Sequence, residues 1–425
     1  MIHNKQIRIK KSDVYANDSL AETVGRAAGK NILRWYVAQT TPEEFAVEVT
    51  TYEAGLNQFD ESSTRPFYPG KNVVLNVVPT GIGCSIGGYA GDATPTTNLL
   101  ASVADYLIAN PNTVNASNFI NLQSNNILYT DGYSIDLFCK GAVDLYIPYS
   151  NRVGLVIEKT DERSLDTIYN IVNAVRVIHG VNISDVLVTD EAVGGRCIEN
   201  QSKGFVGTID NPHVLLEACE KLVRQGVNAI AVTTNISDLP LHNYAKHFEG
   251  EYPNPIGGVE AIISYLVTNH FRLPSAHAPL INIKLDLKHN VVDARGAGEV
   301  SSESGLACIL IGLKRAPQIA PGVSRAADVV NINNLTAVVT PASCLGGIPA
   351  IYAQKYDIPV IAVLENETIL QVDRKALAMN NVVEVRNYAE AAGVLLAMKK
   401  GIHLESLQRP FRTLFAEEDM LVMTA

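Results

Sequence analysis

From Lys71 onward one pattern repeats along the chain: a short run rich in β-branched residues, a loop, and a segment of helical periodicity. Residues 73–78, 153–158, 186–189, 229–233, 337–340 and 360–364 read as strands. Helices are expected at 97–108, 164–178, 213–225, 259–268, 349–355 and 388–399. A strand that leads into a helix rejoins its sheet only by crossing over it. The expected fold is therefore α/β, with largely parallel sheets and flanking helices. Helix starts are signed by Thr160 and Asp161, by Asn211-Pro212 and by Asn387, residue types that cap or open a first turn.

The preceding 70 residues read differently, as an N-terminal module. There 19–36 has helical periodicity, 45–52 alternates as a strand does, and the polar stretch 57–70 closes the segment. A chain of 425 residues exceeds the size at which one core stops growing, which argues for two domains. The boundary is placed near 150–152, where Pro148-Tyr149-Ser150-Asn151 interrupts the pattern. That gives an α/β domain at 1–150 and another at 151–425, with a break near 270–280 as the alternative.

Composition narrows the function classes. A net charge of −10 repels a phosphate backbone, and basic residues cluster only at 5–11, so no nucleic-acid partner is expected. Apolar runs such as 306–313 are far shorter than the roughly 20 residues of a membrane helix. The first residues lack the apolar core of a signal peptide. A cytoplasmic protein with no membrane partner is expected. Its six cysteines form neither a C-x-x-C pair nor a Cys/His cluster, so reduced thiols and no metal site are expected. Cys139, Cys219 and Cys308 read as small buried hydrophobes.

The densest functional signal is the segment 79–95, with five glycines in seventeen residues between a strand and a helix. Such backbone turns sharply or approaches something closely. At the carboxyl end of a strand it is a candidate anion cradle built from main-chain N–H groups, through Gly81, Gly83, Gly87 and Gly88. After Gly81 and Gly83 the third glycine of a dinucleotide fingerprint would fall at 86, which is Ile86, and no Gly-Lys-Ser/Thr follows. No nucleotide or other cofactor is expected. The alternative is a tight crossover that binds nothing. Asp92 either orients a ligand or ties the loop to its own backbone.

A second loop, 340–349, also carries a proline, then Cys344, then the pair Gly346-Gly347. If both loops leave one sheet, Cys84 and Cys344 face one crevice from opposite sides. Two opposed thiols suit racemases and epimerases, one removing a proton beside a carboxylate and the other delivering one. Helix N-termini behind the loops would lower the thiol pKa values. Both cysteines also read as padding for tight loops. A third loop, 252–260, ends in Gly257-Gly258, with Glu260 in the first turn of a helix as a ligand contact or a dipole-favoured carboxylate. His277, between small residues, is the candidate general acid or base, whereas His242 and His247 lack metal-ligand spacing. Arg196, Arg295 and Arg325 stand in loops where an arginine clamps a carboxylate or ties the loop by a salt bridge. Ser343 completes the expected binding residues.

Segments 79–95, 254–263, 275–279 and 340–349 together resemble the signature blocks of a bacterial and cyanobacterial family known as a domain of unknown function. The resemblance spans nearly the whole chain and implies a shared architecture, with no activity to carry over. The leading expectation is an enzyme acting on a small amino- or hydroxy-acid-like metabolite by proton transfer, of isomerase, racemase or lyase type. One alternative is a hydrolase or acyl transferase with a cysteine nucleophile and His277 as base. Another is a non-catalytic metabolite-binding protein. The expected partner is a small-molecule substrate, with a second copy of the chain left open.

Overall fold

Two compact units, Met1–Phe67 and Tyr68–Ala425, make up the computed structural model of the chain. It describes residues 2–16, 20–29, 32–52, 70–113, 125–199, 203–280, 291–302, 304–320 and 329–414. In the first unit β1 (Ile2–Lys10) is followed by α1 (Lys11–Ala16), α2 (Leu20–Ala28), β2 (Ile32–Thr40) and β3 (Glu44–Tyr52). The strands pair antiparallel with β3 central. Val47 and Val49, two apart and so on one face of β3, pack with Ile9, Val24 and Ala28 into a small separate core. The helix expected at 19–36 is shorter. Gly29, at φ +87°, closes α2 as a left-handed C-terminal glycine, and 32–36, rich in β-forming types, belongs to β2. Most of the polar stretch 57–70, and Arg325, lie outside the described residues.

The second unit begins with β4 (Val73–Asn76), α3 (Thr94–Val103), β5 (Tyr106–Ala109), β6 (Ile127–Tyr129), α4 (Gly132–Cys139) and β7 (Asp144–Tyr146). Then come β8 (Arg152–Ile157), α5 (Glu162–His179), β9 (Asn182–Val188), β10 (Gly195–Glu199), β11 (Phe205–Ile209) and α6 (Pro212–Arg224). Next are β12 (Ala229–Ser237), α7 (Leu241–Phe248), α8 (Gly257–Phe271), β13 (Ser275–Leu280), α9 (Ala297–Val300), α10 (Leu306–Leu313) and β14 (Gln318–Ala320). The unit closes with β15 (Val329–Val330), β16 (Leu335–Pro341), α11 (Ile348–Lys355), β17 (Val360–Val363), β18 (Val382–Val385) and α12 (Tyr388–Lys399).

Its first sheet has six parallel strands in the order β18-β17-β16-β4-β5-β6. Period-two alternation sends Val73, Leu75, Val338, Val360 and Ala362 to one face, where they pack on Ile135 and Phe138 of α4 and Ala350 and Ala353 of α11. Val74, Ala337, Val339, Ile361 and Val363 go to the other, against Leu100 of α3 and Ala391 and Leu395 of α12. Burial on both faces explains why these strands read as continuous apolar runs. From β4 the chain winds outward to β5 and β6, and from β16 it winds the opposite way to β17 and β18. Strand order therefore reverses between β4 and β16, where the exit loops part to opposite faces and leave a crevice outside the carboxyl ends.

In the second sheet β12 pairs in parallel with β8 and β13 and, at its carboxyl end, with β10; β9 lies beyond β8, and β11 is antiparallel to β10. Helices α5 and α10 cover one face, and α6 and α8 the other. A small antiparallel sheet joins β7 to β14 and β15. The expected boundary near 150 marks the passage from first sheet to second. Residues 335–385 return to the first sheet, so no single cut in the sequence separates the two.

The expected caps are present: Asp161 accepts from Ser164 N and Asn387 from Glu390 N, each at 3.0 Å, and Pro212 opens α6. One expectation needs correction, and two elements go beyond the sequence pattern. The helix placed at 97–108 spans Thr94–Val103, and Tyr106–Ala109 is β5, because Ala104 turns extended and its successors pair with β4. Between the strand expected at 186–189 and α6 lies the β10–β11 hairpin, whose short, partly exposed strands carry little apolar pattern. The segment around His277 is a strand, β13.

Gly87 shows why the segment 79–95 is rich in glycine. It sits at φ +90°, and a Cβ there would lie 2.2 Å from Val78 Cγ1. Left-handed backbone costs a non-glycine residue about 1–2 kcal/mol, and overpacking costs about 1–3. Gly87→Ala is expected to lower stability by roughly 2–5 kcal/mol, read as a fall in the urea midpoint at unchanged slope.

Candidate functional site

Two adjoining cavities open at the carboxyl ends of strands from both sheets of the second unit. The larger, about 490 Å³, is bounded by Thr80 after β4, Asn112 after β5, Asp131 after β6, and Gly346 and Gly347 after β16. Glu260 and Tyr265 of α8 and His277 of β13 complete its wall. The smaller, about 90 Å³, is lined by Asn254, Glu299, Ser302 and Ser304 among others. Thr80, Asn112, Glu260 and His277 face both. Among the described residues neither lining contains a lysine or an arginine.

Three helices begin at the larger cavity, with Gly132 of α4, Gly257 of α8 and Ile348 of α11 in its wall. First-turn N–H groups have no partner inside their helix, and the helix dipole adds positive potential there. Such a wall suits an anion without any cationic side chain.

The central pair is Glu260 and His277. Pairing of β13 with β12 sets His277 opposite Val232 and fixes its height in the sheet. Its ring is fully buried; Nε2 lies 2.9 Å from Thr234 Oγ1, and Nδ1, 3.6 Å from Glu260 Oε1, has no hydrogen-bond partner. That distance is ion-pair contact rather than a hydrogen bond. Burial raises the pKa of Glu260, His277 draws it back, and the nearby Glu299 adds to the rise. Glu260 keeps 27% of its side chain exposed, so it faces the cavities and is not sealed in the core.

Glycines set the approach of α8. A Cβ at Gly257 would meet Thr80 Oγ1 at 2.0 Å, one at Gly258 would meet Phe205 O at 2.3 Å, and one at Gly207 would meet Val259 Cα at 2.4 Å. The Gly-Gly pair thus lets the helix start touch β11 and the loop after β4, which carries Glu260 to the wall.

The segment 79–95 is not an open cradle. Cβ atoms at Gly81 and Gly88 would meet Phe205 O at 2.7 Å and Cys84 O at 2.2 Å, and Gly83 at φ +64° packs on Pro253. Gly81, Gly83, Gly87 and Gly88 serve the protein's own packing. The carboxylate this loop holds is its own. Burial pushes Asp92 up to about 7, while the N–H groups of Gly87 and Tyr89 and the charge of Arg295 favour the ionised form.

Cys84 and Cys344 correct the expectation of activated thiols. Both are buried and neither is among the described residues lining these two cavities. Cys84 donates to Pro79 O at 3.3 Å and Cys344 to Pro341 O at 3.4 Å. Burial outweighs any helix-end effect and raises both thiols, Cys344 to about 11; Cys84 is raised too, with Cys344 as its next cause. Cys139, Cys219 and Cys308 are buried as well.

Arg196 and Arg295 also lie outside the cavity walls. Arg196 pairs with Asp210 at 2.5 Å and Asp238 at 3.8 Å. Arg295 holds both oxygens of Asp293, at 2.9 and 3.0 Å, and stacks over Tyr89. These are loop-tying contacts. Ser343 shares a hydrogen bond of 2.7 Å with Thr368 and is likewise set back.

Sequence reasoning missed Asp131, Asp136, Tyr265 and the role of Glu299. Asp131 caps α4, accepting from Ser134 N at 2.9 Å and Ser134 Oγ at 2.7 Å, and burial pushes it up to about 6. Tyr265 donates to Asp136 at 3.0 Å. Asp131-Gly132 before an apolar segment was a readable capping signal. Nothing local marks Glu299, which accepts from Ala90 N at 3.2 Å and stands 4.0 Å from the buried His247 Nε2.

Residues 72–408 match the family described as "Protein of unknown function (DUF3326)". The chain is 33% identical over 332 residues to an uncharacterized lipoprotein of Synechococcus sp., a match covering 77% of this chain and 90% of the relative. No solved structure matches. No helix among the described residues is long and apolar enough to cross a membrane.

The raised Asp92 gives a signed pH dependence. Its ordinary value is 3.8 and its folded value about 7. Between them the folded chain keeps a proton that the unfolded chain has lost, so this group's contribution to stability falls as pH rises through that window. Asp92→Asn is expected to match the wild type near about pH 4 and to be the more stable near about pH 8, measured by urea midpoints at both.

Proposed function

The chain belongs to the DUF3326 family, and we propose that it is an enzyme moving a proton on a small carboxylate-bearing metabolite, in an isomerase or lyase reaction. The observation that carries this reading is the Glu260–His277 pair in the wall shared by two cavities, with Glu260 raised by burial and still open to a ligand. A carboxyl group so raised is a stronger base when ionised and a usable acid when protonated, near the pH at which it works. Strand order reverses beside the cavity, where ligands of open α/β sheets bind.

In this mechanism the substrate carboxylate faces the first turns of α8 and α11, since Asp131 already caps α4. Glu260 removes the proton from the adjacent carbon and becomes a neutral carboxyl. The electron pair of the broken C–H bond moves onto the substrate carboxylate, where the helix N-termini favour the added negative charge. Return of a proton from solvent water to the other face, with Glu260 releasing its own, completes an isomerisation; departure of a neighbouring group with its bonding electron pair completes a lyase reaction. His277, held by Thr234, orients Glu260 and is a second station for its proton. Cys84 and Cys344 take no part, since both thiols are buried away from the cavities.

Solvent exchange tests this without prior choice of reaction. Amino and hydroxy acids are incubated with the protein in D2O, and loss of the Cα–H signal is followed by proton NMR. The wild type is expected to exchange at least one of them. Glu260→Gln should slow exchange by about 100-fold or more, while Cys84→Ser and Cys344→Ser retain it. Exchange lost in the cysteine variants and kept in Glu260→Gln would return the reaction to the thiols; binding without exchange would make the protein a carrier.

We also propose a cytoplasmic location, which six free cysteines fit. The relative's name, lipoprotein, points instead to a membrane surface. Cell fractionation separates the two.

A further inference from the structure

We infer that the smaller chamber is an ammonium site, so that the metabolite taken up is an amine-bearing acid of the α-amino acid class rather than a hydroxy acid. This rests on the proposed function for the placement of the rest of the ligand. Glu260 and Glu299 both face this space, and the described residues of its wall include no lysine or arginine. Arg295 is taken up by Asp293 and Tyr89.

An independent observation is His277. It is 5% exposed, lines the chamber, and leaves Nδ1 without a partner while Nε2 engages Thr234. A buried ring nitrogen left unpaired costs free energy unless a ligand or water completes it. A bound ammonium selects the tautomer with the ring proton on Nε2, donated to Thr234, which leaves Nδ1 an acceptor. Nδ1 then stands 3.6 Å from a second acceptor, Glu260 Oε1. Acceptors without a donor between them call for a group rich in N–H bonds, and an ammonium carries three donors and the charge that two carboxylates favour. A hydroxyl offers one donor and no charge. Nor is the chamber suited to a metal ion, since no three His, Cys, Asp or Glu side chains among the described residues are placed to hold one.

Size agrees. At about 90 Å³, against about 490 Å³ for its neighbour, the chamber admits a small head group and leaves the remainder to the larger cavity. An α-amino acid laid across the shared wall has its ammonium beside Glu299, its carboxylate toward the helix N-termini, and its Cα–H against Glu260. The ammonium also offsets the repulsion between Glu299 and an ionised Glu260, so the ligand's own charge favours the basic form of the residue that acts on it.

Isothermal titration of the purified full chain with matched pairs tests the assignment: L-alanine against L-lactate, L-serine against L-glycerate, L-aspartate against L-malate. In at least one pair the amino acid should bind about tenfold or more tightly than its hydroxy partner, as charge-assisted hydrogen bonds imply. Glu299→Gln should remove that preference while leaving the hydroxy acid's affinity within about twofold. Equal or tighter binding of the hydroxy acids overturns the assignment, as does failure of every amino acid to bind. The wild-type comparison needs no variant, so it stands even where Glu299→Gln fails to fold. Amino acids that bind with the expected preference but exchange no Cα–H would overturn the enzymatic reading alone. Exchange confined to hydroxy acids would overturn the ammonium site alone.

Discussion

The contact between Gly132 and Tyr265 is what the rest of the site depends on. A Cβ at Gly132 would lie 2.7 Å from Tyr265 Cε2, so the missing methyl lets the start of α4, beneath the first sheet, meet the middle of α8, over the second. Tyr265 then bonds Asp136 one turn along α4, and the edge of its ring meets Tyr133 at 5.5 Å. Gly312 and Tyr129 repeat the arrangement, with a would-be Cβ 2.6 Å from the ring. Protein interiors are too dense to absorb an added methyl at such places. These two glycine–tyrosine contacts hold the sheets so that strand ends from both face one space, and a larger residue at 132 would wedge that space open.

The electrostatics of the site follow from this docking. Asp131, Asp136 and Glu260 are carried into a wall whose described lining has no lysine or arginine, and burial raises all three, with Lys140 drawing Asp136 partly back. Several basic residues of the fold are paired on its outside: Arg152 with Asp185, Arg196 with Asp210, Lys399 with Asp105. Surface pairs of this kind contribute little stability and do nothing for the cavity. The positive potential left to the interior is that of the peptide dipoles at the helix starts, which are fixed by the backbone and need no reorganisation when a charge arrives.

Much of the fold was legible because parallel strands buried on both faces write themselves as apolar runs, as at 73–78, 337–340 and 360–364, and because Asp161, Pro212 and Asn387 mark helix starts through local bonds. What stayed hidden depends on distant partners. The β10–β11 hairpin owes its place to Gly207 meeting Val259, and β13 to its pairing with β12; neither leaves a periodic trace. At the site, His277 and Glu260 were singled out from their own surroundings, and the structure brings them together. Cys84, Cys344, Arg196 and Arg295 were singled out in the same way, but they belong to the packing and pairing of their loops.

The difference lies in what a glycine-rich loop is for. A missing side chain frees backbone N–H groups for a ligand only where no other protein atom occupies the vacated volume. At Gly81, Gly87 and Gly88 that volume is filled by Phe205 O, Val78 and Cys84 O, so those glycines make the loop compact and bury the thiol within it. At Gly132 and Gly257 the filling atoms are Tyr265 and Thr80, themselves residues of the cavity wall, so the same close approach assembles the site. Glycine density in a sequence therefore reports close contact, and the atoms contacted decide whether the contact makes a scaffold or a binding surface. In this chain the loop with the most glycines is the scaffold, and single glycines at helix starts shape the surface that meets a ligand.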